Sequence, residues 1–310
     1  MDLSIEQIES FIAVAEEGSV SRAARRLALT QPPVSRRVQH LEGRLGCRLF
    51  RRSSEGMVLT AVGEQFLRDA YRITALVAES FDRARMQGGE AKGEVEVGFT
   101  SISTYAVMPK LLKLTAAYTP GLDVRIAERI SPQQIDLVSR GRLDLGFVRP
   151  QRLPSNVRRR VVERAPVIAL VPRRHPLAEQ PGPLTPQDLL ALPLVRYEHG
   201  GSPFLARLHD SVFAGAAPPA RFEVSQTLSG AAIVGEGIAA MLAPVSVAKL
   251  ELPGLAFRRI TLPASAATVP LWAVYGAEAK SPLVDAVLAM FDELAEQLAR
   301  EHSGLMSAIG

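Results

Sequence analysis

The chain has 310 residues, is 47% hydrophobic and 22% charged, and contains one cysteine. These values exclude a disordered chain, a collagen-like chain and a small disulfide scaffold, and leave room for about two domains of roughly 150 residues. Cys47 has no partner for an internal disulfide, so a reducing, cytoplasmic setting is expected. No apolar run reaches the roughly 18 residues of a membrane span. Met1-Asp2-Leu3-Ser4 has neither the basic nor the apolar part of a secretion signal. The formal net charge of +4 is unevenly spread. Nine arginines and one acid, Glu42, lie between Gly18 and Arg52, so a local excess of eight positive charges sits on a mildly acidic remainder. That asymmetry points to a polyanion partner for this segment alone.

Ser4 and Gln7 have the spacing of a capping box. Ile5, Ile8, Ile12 and Ala15 follow at helical spacing and Gly18 supplies a stop, which predicts a helix over 5–17. A short second helix is expected over 21–27, with Ala23, Ala24 and Leu27 inward. Thr30 is the expected N-cap of a third helix, with Pro32 and Pro33 in its first turn. Val34, Val38, Leu41 and Leu45 form the buried stripe of that helix. At 100° per residue Arg36 falls opposite the stripe, with Gln31, Pro32, Ser35, Gln39 and His40 at its tip or flanks. Such a face suits the major groove, because arginine bonds guanine bidentately, glutamine bonds adenine, and serine reaches base edges or phosphate. Two helices joined by a short turn, the second carrying this face, make a helix-turn-helix. Two short apolar stretches around Gly56 then predict a β-wing, with Arg51 and Arg52 at its base to hold phosphates. Cys47, among apolar neighbours, reads as a small core filler.

Thr60 is the expected cap of a long helix ending at Gly88-Gly89, with an apolar face of Phe66, Ala70, Ile73, Val77 and Phe81. At 1.5 Å per residue it is about 40 Å long and calls for a partner helix, hence self-association. From Gly93 strands and helices alternate, which predicts a largely parallel sheet covered on both faces. Strands are expected at 94–99, 122–127, 143–148, 167–171, 194–197, 220–224, 238–242, 257–260 and 268–275. One helix is expected to run up to Tyr118, another from Ser131 to Gly141, and a last one opens at Ser281-Pro282. In open α/β sheets ligands sit beyond the carboxyl ends of the strands. Thr100, Ser101, Ser103, Ser131, Ser202, Gln226 and Thr227 lie at such ends, most of them before a helix. Hydroxyls and helix N-termini suit an anion, a carboxylate above all, although each Ser or Thr taken singly reads as an N-cap.

The runs Phe11–Ser19, Ala23-Ala24, Leu29–Arg36, Leu41-Glu42, Leu45-Gly46, Leu49-Phe50 and Leu59-Thr60 together resemble the LysR-type transcriptional regulators. The resemblance implies an α/β protein: an N-terminal winged helix-turn-helix (1–60), a long linker and dimerisation helix (61–89), and a C-terminal two-lobed effector domain (90–310) like a periplasmic binding protein. Lobe I would take about 90–162 and 268–310, and lobe II 163–267, with crossings near Val162 and Ala267. It places Gln31, Pro32, Ser35 and Arg36 at DNA-reading positions, with Pro33 beside them. It places Ser101, Ser103, Ser131, Ser202, Gln226 and Thr227 near an inducer cleft. The stretch Gly141–Pro150 looks most like regulators of aromatic-compound degradation. The wing carries Glu55 and Val58 where family members often have arginines, and Ile102 stands where many have a second serine.

The expected partners are double-stranded DNA, a small organic-acid effector and further copies of the chain, with no membrane. No cofactor and no metal are expected, since the five histidines are scattered and none pairs with Cys47. A solute-binding protein of a transport system would share the C-terminal fold, but the basic N-terminus and the lack of a leader disfavour it. An α/β enzyme acting on a small metabolite would need a nucleophile–base pairing, and none is visible.

Overall fold

The computed structural model describes residues 4–54, 56–87, 93–214, 221–277 and 282–309. The chain divides into two compact units, Met1–Glu90 with Arg140–Arg142, and Ala91–Ser139 with Leu143–Gly310.

In the first unit three helices, α1 (Ile5–Glu17), α2 (Val20–Arg26) and α3 (Gln31–Leu45), precede a two-stranded wing, β1 (Phe50–Ser53) and β2 (Gly56–Leu59), and the long α4 (Ala61–Gln87). Ser4 and Gln7 form the expected capping box, and Gly18 and Gly46 end α1 and α3 in left-handed conformations. Thr30 occupies the N-cap position of α3 but its hydroxyl caps nothing. The reason is local: the second and third helical residues, whose N–H groups such a cap would bond, are Pro32 and Pro33. Val34, Val38 and Leu41 are buried as expected, around Phe11, which meets Phe50 and Phe66 at 5.2 and 5.1 Å. Leu45 is not: it is the last residue of α3, beyond the helices it would pack on, and stays 42% exposed. Cys47 is half-buried against this core. The wing pairs Phe50 with Leu59. Gly56 lies at φ +121°, and a Cβ there would stand 2.5 Å from the Gly18 carbonyl oxygen, so only glycine lets the wing approach the α1–α2 turn. Thr60 caps α4, accepting from the Gly63 N–H at 3.0 Å. The expected end of α4 at Gly88-Gly89, the wing residue Glu55, and the start of the last helix at Ser281 lie outside the described residues.

The second unit begins β3 (Glu94–Phe99), α5 (Ser101–Ala106), α6 (Met108–Tyr118), β4 (Asp123–Glu128), α7 (Ser131–Ser139), β5 (Leu145–Val148) and β6 (Val157–Pro172). It continues with α8 (Pro186–Leu189), β7 (Val195–Tyr197), α9 (Pro203–Val212), β8 (Phe222–Val224), α10 (Thr227–Gly235), β9 (Met241–Pro244), β10 (Leu255–Arg258), β11 (Thr268–Gly276), α11 (Pro282–Ala289) and α12 (Phe291–Ala308). The helix expected up to Tyr118 is broken at Val107, and the last helix at Met290. Strands expected at 238–242 and 257–260 are displaced to β9 and β10, and the stretch 167–171 is the end of the 16-residue β6.

The largely parallel sheet is a correction. β4, β3 and β5 pair in parallel, as do β7 and β8, but β11 runs antiparallel to both β5 and β6, and β6 antiparallel to β9 and β10. The cause is that β6 and β11 carry the chain in opposite directions between two cores. As far as Pro166, opposite Thr268, β6 pairs with β11; from Val167 it pairs with β9. The exchange thus falls four residues beyond the expected Val162, which instead sits unpaired at a register shift opposite Leu271/Trp272 and is buried in the first core. That core packs Val97, Phe99, Leu145, Phe147, Leu271 and Phe291; the second packs Ile168, Leu170, Leu184, Val195, Met241 and Leu255. Helix α12 belongs to both. Phe291, Leu294 and Leu298 enter the first core, while Leu305, Met306 and Ile309 lie on the second, where Arg259 donates to the Met306 and Ile309 carbonyls. Midway, Glu301 pairs with Lys110 and with Lys249.

Candidate DNA interface and effector site

Helix α3 turns Gln31, Pro32, Arg36, Gln39 and His40 to solvent, with Pro33 and Ser35 half-buried at their flank. Of the nine arginines in the basic segment, four are held within the unit: Arg22 by Glu17, Arg26 by Glu16 and Glu17, Arg37 by Glu6, and Arg48 by Glu42. The side chains of Arg25, Arg36, Arg44, Arg51 and Arg52 make no hydrogen bond or ion pair among the described residues and are exposed. An open polar hollow between the start of α2 and the wing is lined by Ser19, Ser21, Arg22, Gln31, Arg52 and Ser53, and Ser21 donates to the Gln31 amide oxygen at 3.0 Å.

Two acids hold this surface in place. Glu42, 7% exposed, accepts the N–H groups of Leu49 and Phe50 at 2.8 and 3.1 Å on one oxygen and pairs with Arg48 at 2.8 Å on the other. Burial pushes Glu16 up, but hydrogen bonds from Tyr71 and Arg26 outweigh it and hold its carboxyl below the usual range. Glu42 entered the sequence reading only as a lone negative charge; its burial could have been suspected from its place beside Leu41 on the inner face of α3.

In the second unit the predicted ligand residues fall into three groups. Ser101 donates to the Gln226 amide oxygen at 3.1 Å, next to Thr227, whose hydroxyl meets that of Tyr197 at 3.1 Å, and Ser202 donates to the Ser225 carbonyl at 2.7 Å. These residues are therefore brought together, joining the start of α5 to the starts of α9 and α10. Ser103 is 1% exposed and closes the first turn of α5, accepting the Thr100 N–H at 2.8 Å and touching the Thr100 hydroxyl at 3.0 Å. Ser131 accepts the Arg149 N–H at 3.0 Å. For Thr100 and Ser103 the capping role is thus the one the structure displays, whereas Ser131 ties the start of α7 to the residue after β5.

Three buried charged or titratable residues escaped the sequence reading. The Arg149 guanidinium donates to the Val269 and Pro270 carbonyls and lies 3.9 Å from Glu163. Glu163 in turn lies 3.2 Å from His302, whose Nε2 meets the Ser246 hydroxyl at 3.3 Å. Burial raises Glu163 and lowers His302 to about 4, so the imidazole is neutral at pH 7 and this contact is no ion pair. A charged residue closing an uninterrupted apolar strand, as Arg149 closes β5, is the one sequence signal that marks this cluster.

Residues 5–64 match the family of bacterial regulatory helix-turn-helix proteins of the lysR type, and residues 88–296 match the LysR substrate binding domain. The chain belongs to the LysR family. Among curated relatives of this LysR-family regulator, TcbR of Pseudomonas sp. (strain P51) is 31% identical over 96% of this chain and 100% of its own length. TfdS of Cupriavidus pinatubonensis is also 31% identical, over 92% and 97%. Both are HTH-type transcriptional regulators. The crystal structure of full-length CbnR with its target DNA superimposes with a TM-score of 0.66 at 28% identity, covering 94% of this chain and 99% of that one. The LysR-family regulator thus combines a DNA-binding helix-turn-helix with an effector-binding domain. No helix among its described residues is long and apolar enough to cross a membrane, and none of those residues forms a cluster fit to hold a metal ion.

Proposed function

We propose that this regulator reads operator DNA in the cytoplasm through Gln31, Pro32, Pro33, Ser35, Arg36 and Gln39 of α3, with Arg51 and Arg52 of the wing on the phosphates. The parts would be 1–60 for DNA binding, 61–89 for pairing of copies, and 90–310 for the effector. The observation that carries the reading is Arg36: exposed, its side chain without a partner among the described residues, on the helix face opposite the buried Val34, Val38 and Leu41. The relative CbnR, solved on its target DNA, supports it. The effector is a small carboxylate-bearing molecule that does not undergo turnover; the helix starts gathered around Ser101, Ser202, Gln226 and Thr227 support an anion there. Leu76 and Phe81, 54% and 64% exposed on the second half of α4, support pairing of two copies along that helix.

A gel shift against the intergenic DNA beside its own gene tests the reading. Arg36→Ala is expected to weaken specific binding by about 1–3 kcal/mol while leaving random-sequence binding within a few-fold. An equal loss on both DNAs, or no salt-sensitive binding at all, overturns it.

A further inference from the structure

Two side chains on the outward face of α3 have their hydrogen-bonding sense set by other helices. The first is Gln31, the opening residue of α3, exposed at the edge of the polar hollow. A glutamine amide offers an acceptor oxygen and a nitrogen with two donors, and rotation lets either face a ligand. Here Ser21, in the first turn of α2, donates its hydroxyl to Gln31 Oε1 at 3.0 Å. The oxygen is thus turned toward α2, and Nε2 has no partner among the described residues. The second is His40, four residues beyond Arg36 and so about one turn further along the same face. Gln7 of α1 uses its Oε1 to accept the Ser4 N–H at 3.3 Å, which leaves Nε2 to donate to His40 Nδ1 at 2.8 Å. A neutral ring that accepts at Nδ1 carries its proton on Nε2, and that nitrogen has no partner among the described residues. Arg36, between the two, has donors only.

We propose that Ser21 and Gln7 are positioning residues that turn Gln31, Arg36 and His40 into a row of donors, matched to the acceptor edges of operator bases. The proposal rests on the DNA reading above; it adds His40 to the contacting residues and gives the operator a polarity. In the major groove the amino groups of adenine and cytosine are donors, while guanine N7 and O6, adenine N7 and thymine O4 are acceptors. An amide with a free oxygen bonds adenine bidentately, through N6 and N7. Gln31 can do this only by releasing the Ser21 hydroxyl. Beneath DNA, where water is excluded, a lost hydrogen bond of this kind lowers affinity about two- to tenfold. The row therefore selects acceptors, guanine above all because its two lie side by side, and is indifferent to the adenine amino group. Gln39, whose amide is not held, stands on the flank beside a separate hollow with Glu42 and Arg48 and is no part of the row. His40 reaches an acceptor about 6 Å beyond that of Arg36, at 1.5 Å of rise per residue.

The experiment is a gel shift of the full chain on the intergenic duplex beside its own gene, with base analogues placed one at a time across the footprint. Nebularine, which is adenine without its amino group, removes a donor; 7-deazaguanine and 7-deazaadenine remove an N7 acceptor. The expected result for the unsubstituted chain is a loss of about threefold or more at one or more deaza positions, and a change of less than twofold at every nebularine position. Ser21→Ala frees the Gln31 oxygen. It is expected to relax base preference at a single position and to make an adenine there sensitive to nebularine, with the salt slope unchanged, which a purely structural role for Ser21 would not produce. His40→Ala is expected to weaken operator binding about two- to tenfold. If that loss is confined to one deaza position the acceptor is a base, and if it is equal on all duplexes the acceptor is a phosphate. Nitrogen NMR of His40 in the free, unsubstituted chain at pH 8 is expected to show the proton on Nε2. The proposal is overturned by a nebularine loss in the unsubstituted chain, by Ser21→Ala weakening every sequence alike, by His40→Ala binding as before, or by a proton on Nδ1. Those outcomes leave the DNA reading standing, whereas absence of specific binding to the unmodified duplex overturns that reading and this proposal with it.

Discussion

Replacing Glu42 by leucine tests how the wing is joined to α3. The change removes the acceptor of two buried N–H groups, those of Leu49 and Phe50, and the partner of Arg48. Each stranded buried donor costs about 1–3 kcal/mol. The Arg48 pair contributes less than about 1 kcal/mol, because Arg48 is 77% exposed. Burying the apolar leucine returns about 1–2 kcal/mol. The net loss is about 2–4 kcal/mol, and in a unit of this size each kcal/mol lowers the melting midpoint by about 4–8 °C. Glu42→Gln keeps one acceptor oxygen and loses about 1 kcal/mol. The single tryptophan, Trp272, lies on β11 in the other unit. Thermal melts followed in parallel by helical circular dichroism and tryptophan fluorescence therefore separate the two units. Glu42→Leu should lower an early dichroism transition by roughly 10–25 °C and leave the fluorescence transition in place. A loss under about 0.5 kcal/mol, or equal shifts in both signals, refutes the assigned role of the carboxylate.

Arg51→Ala with Arg52→Ala is expected to weaken binding to all duplexes alike and to reduce the slope of log affinity against log salt by about 1.8, measured by gel shift over a salt series. Phe81→Glu combined with Leu76→Glu should shift the sedimentation profile toward single chains, since a charge on each of two exposed apolar positions opposes helix pairing. Acid should destabilise the effector unit through His209 and His302. Both have folded-state values near 4, below the ordinary histidine value of about 6.5, so their contribution is complete above about pH 6.5 and is lost as pH falls toward 4. His209 alone accounts for about 2 kcal/mol by about pH 5, readable as a fall in the urea midpoint of Trp272 fluorescence that His209→Phe removes.

The helical unit was legible because its signals are local. Ser4, Gly18 and Gly46 announce helix ends, and the spacing of Val34, Val38 and Leu41 separates an inner face from the one bearing Arg36. Thr30 stands at the expected N-cap, but its hydroxyl bonds nothing because the two following prolines lack the N–H groups it would accept. Strand positions in the effector unit were legible to within a few residues, but direction was not. Alternation of strand and helix implies parallel pairing only within one core, and β11 returns from another. Among the ligand residues, the Ser101–Gln226 contact bridges 125 positions of sequence, and the residues on either side were chosen by the strand-end rule. His209, Arg149 and Glu163 were invisible as a set, because burial of an isolated charged or imidazole group is decided by neighbours remote in sequence.

The double anchorage of α12 limits what an effector can ask of this domain. A helix rooted at Leu294 in one core and tied by Arg259 at its far end to the other acts as a splint across the two crossing strands. Wide clamshell opening would have to tear it loose. Trimming the last turn of the chain should therefore loosen the two cores relative to one another while leaving each of them folded.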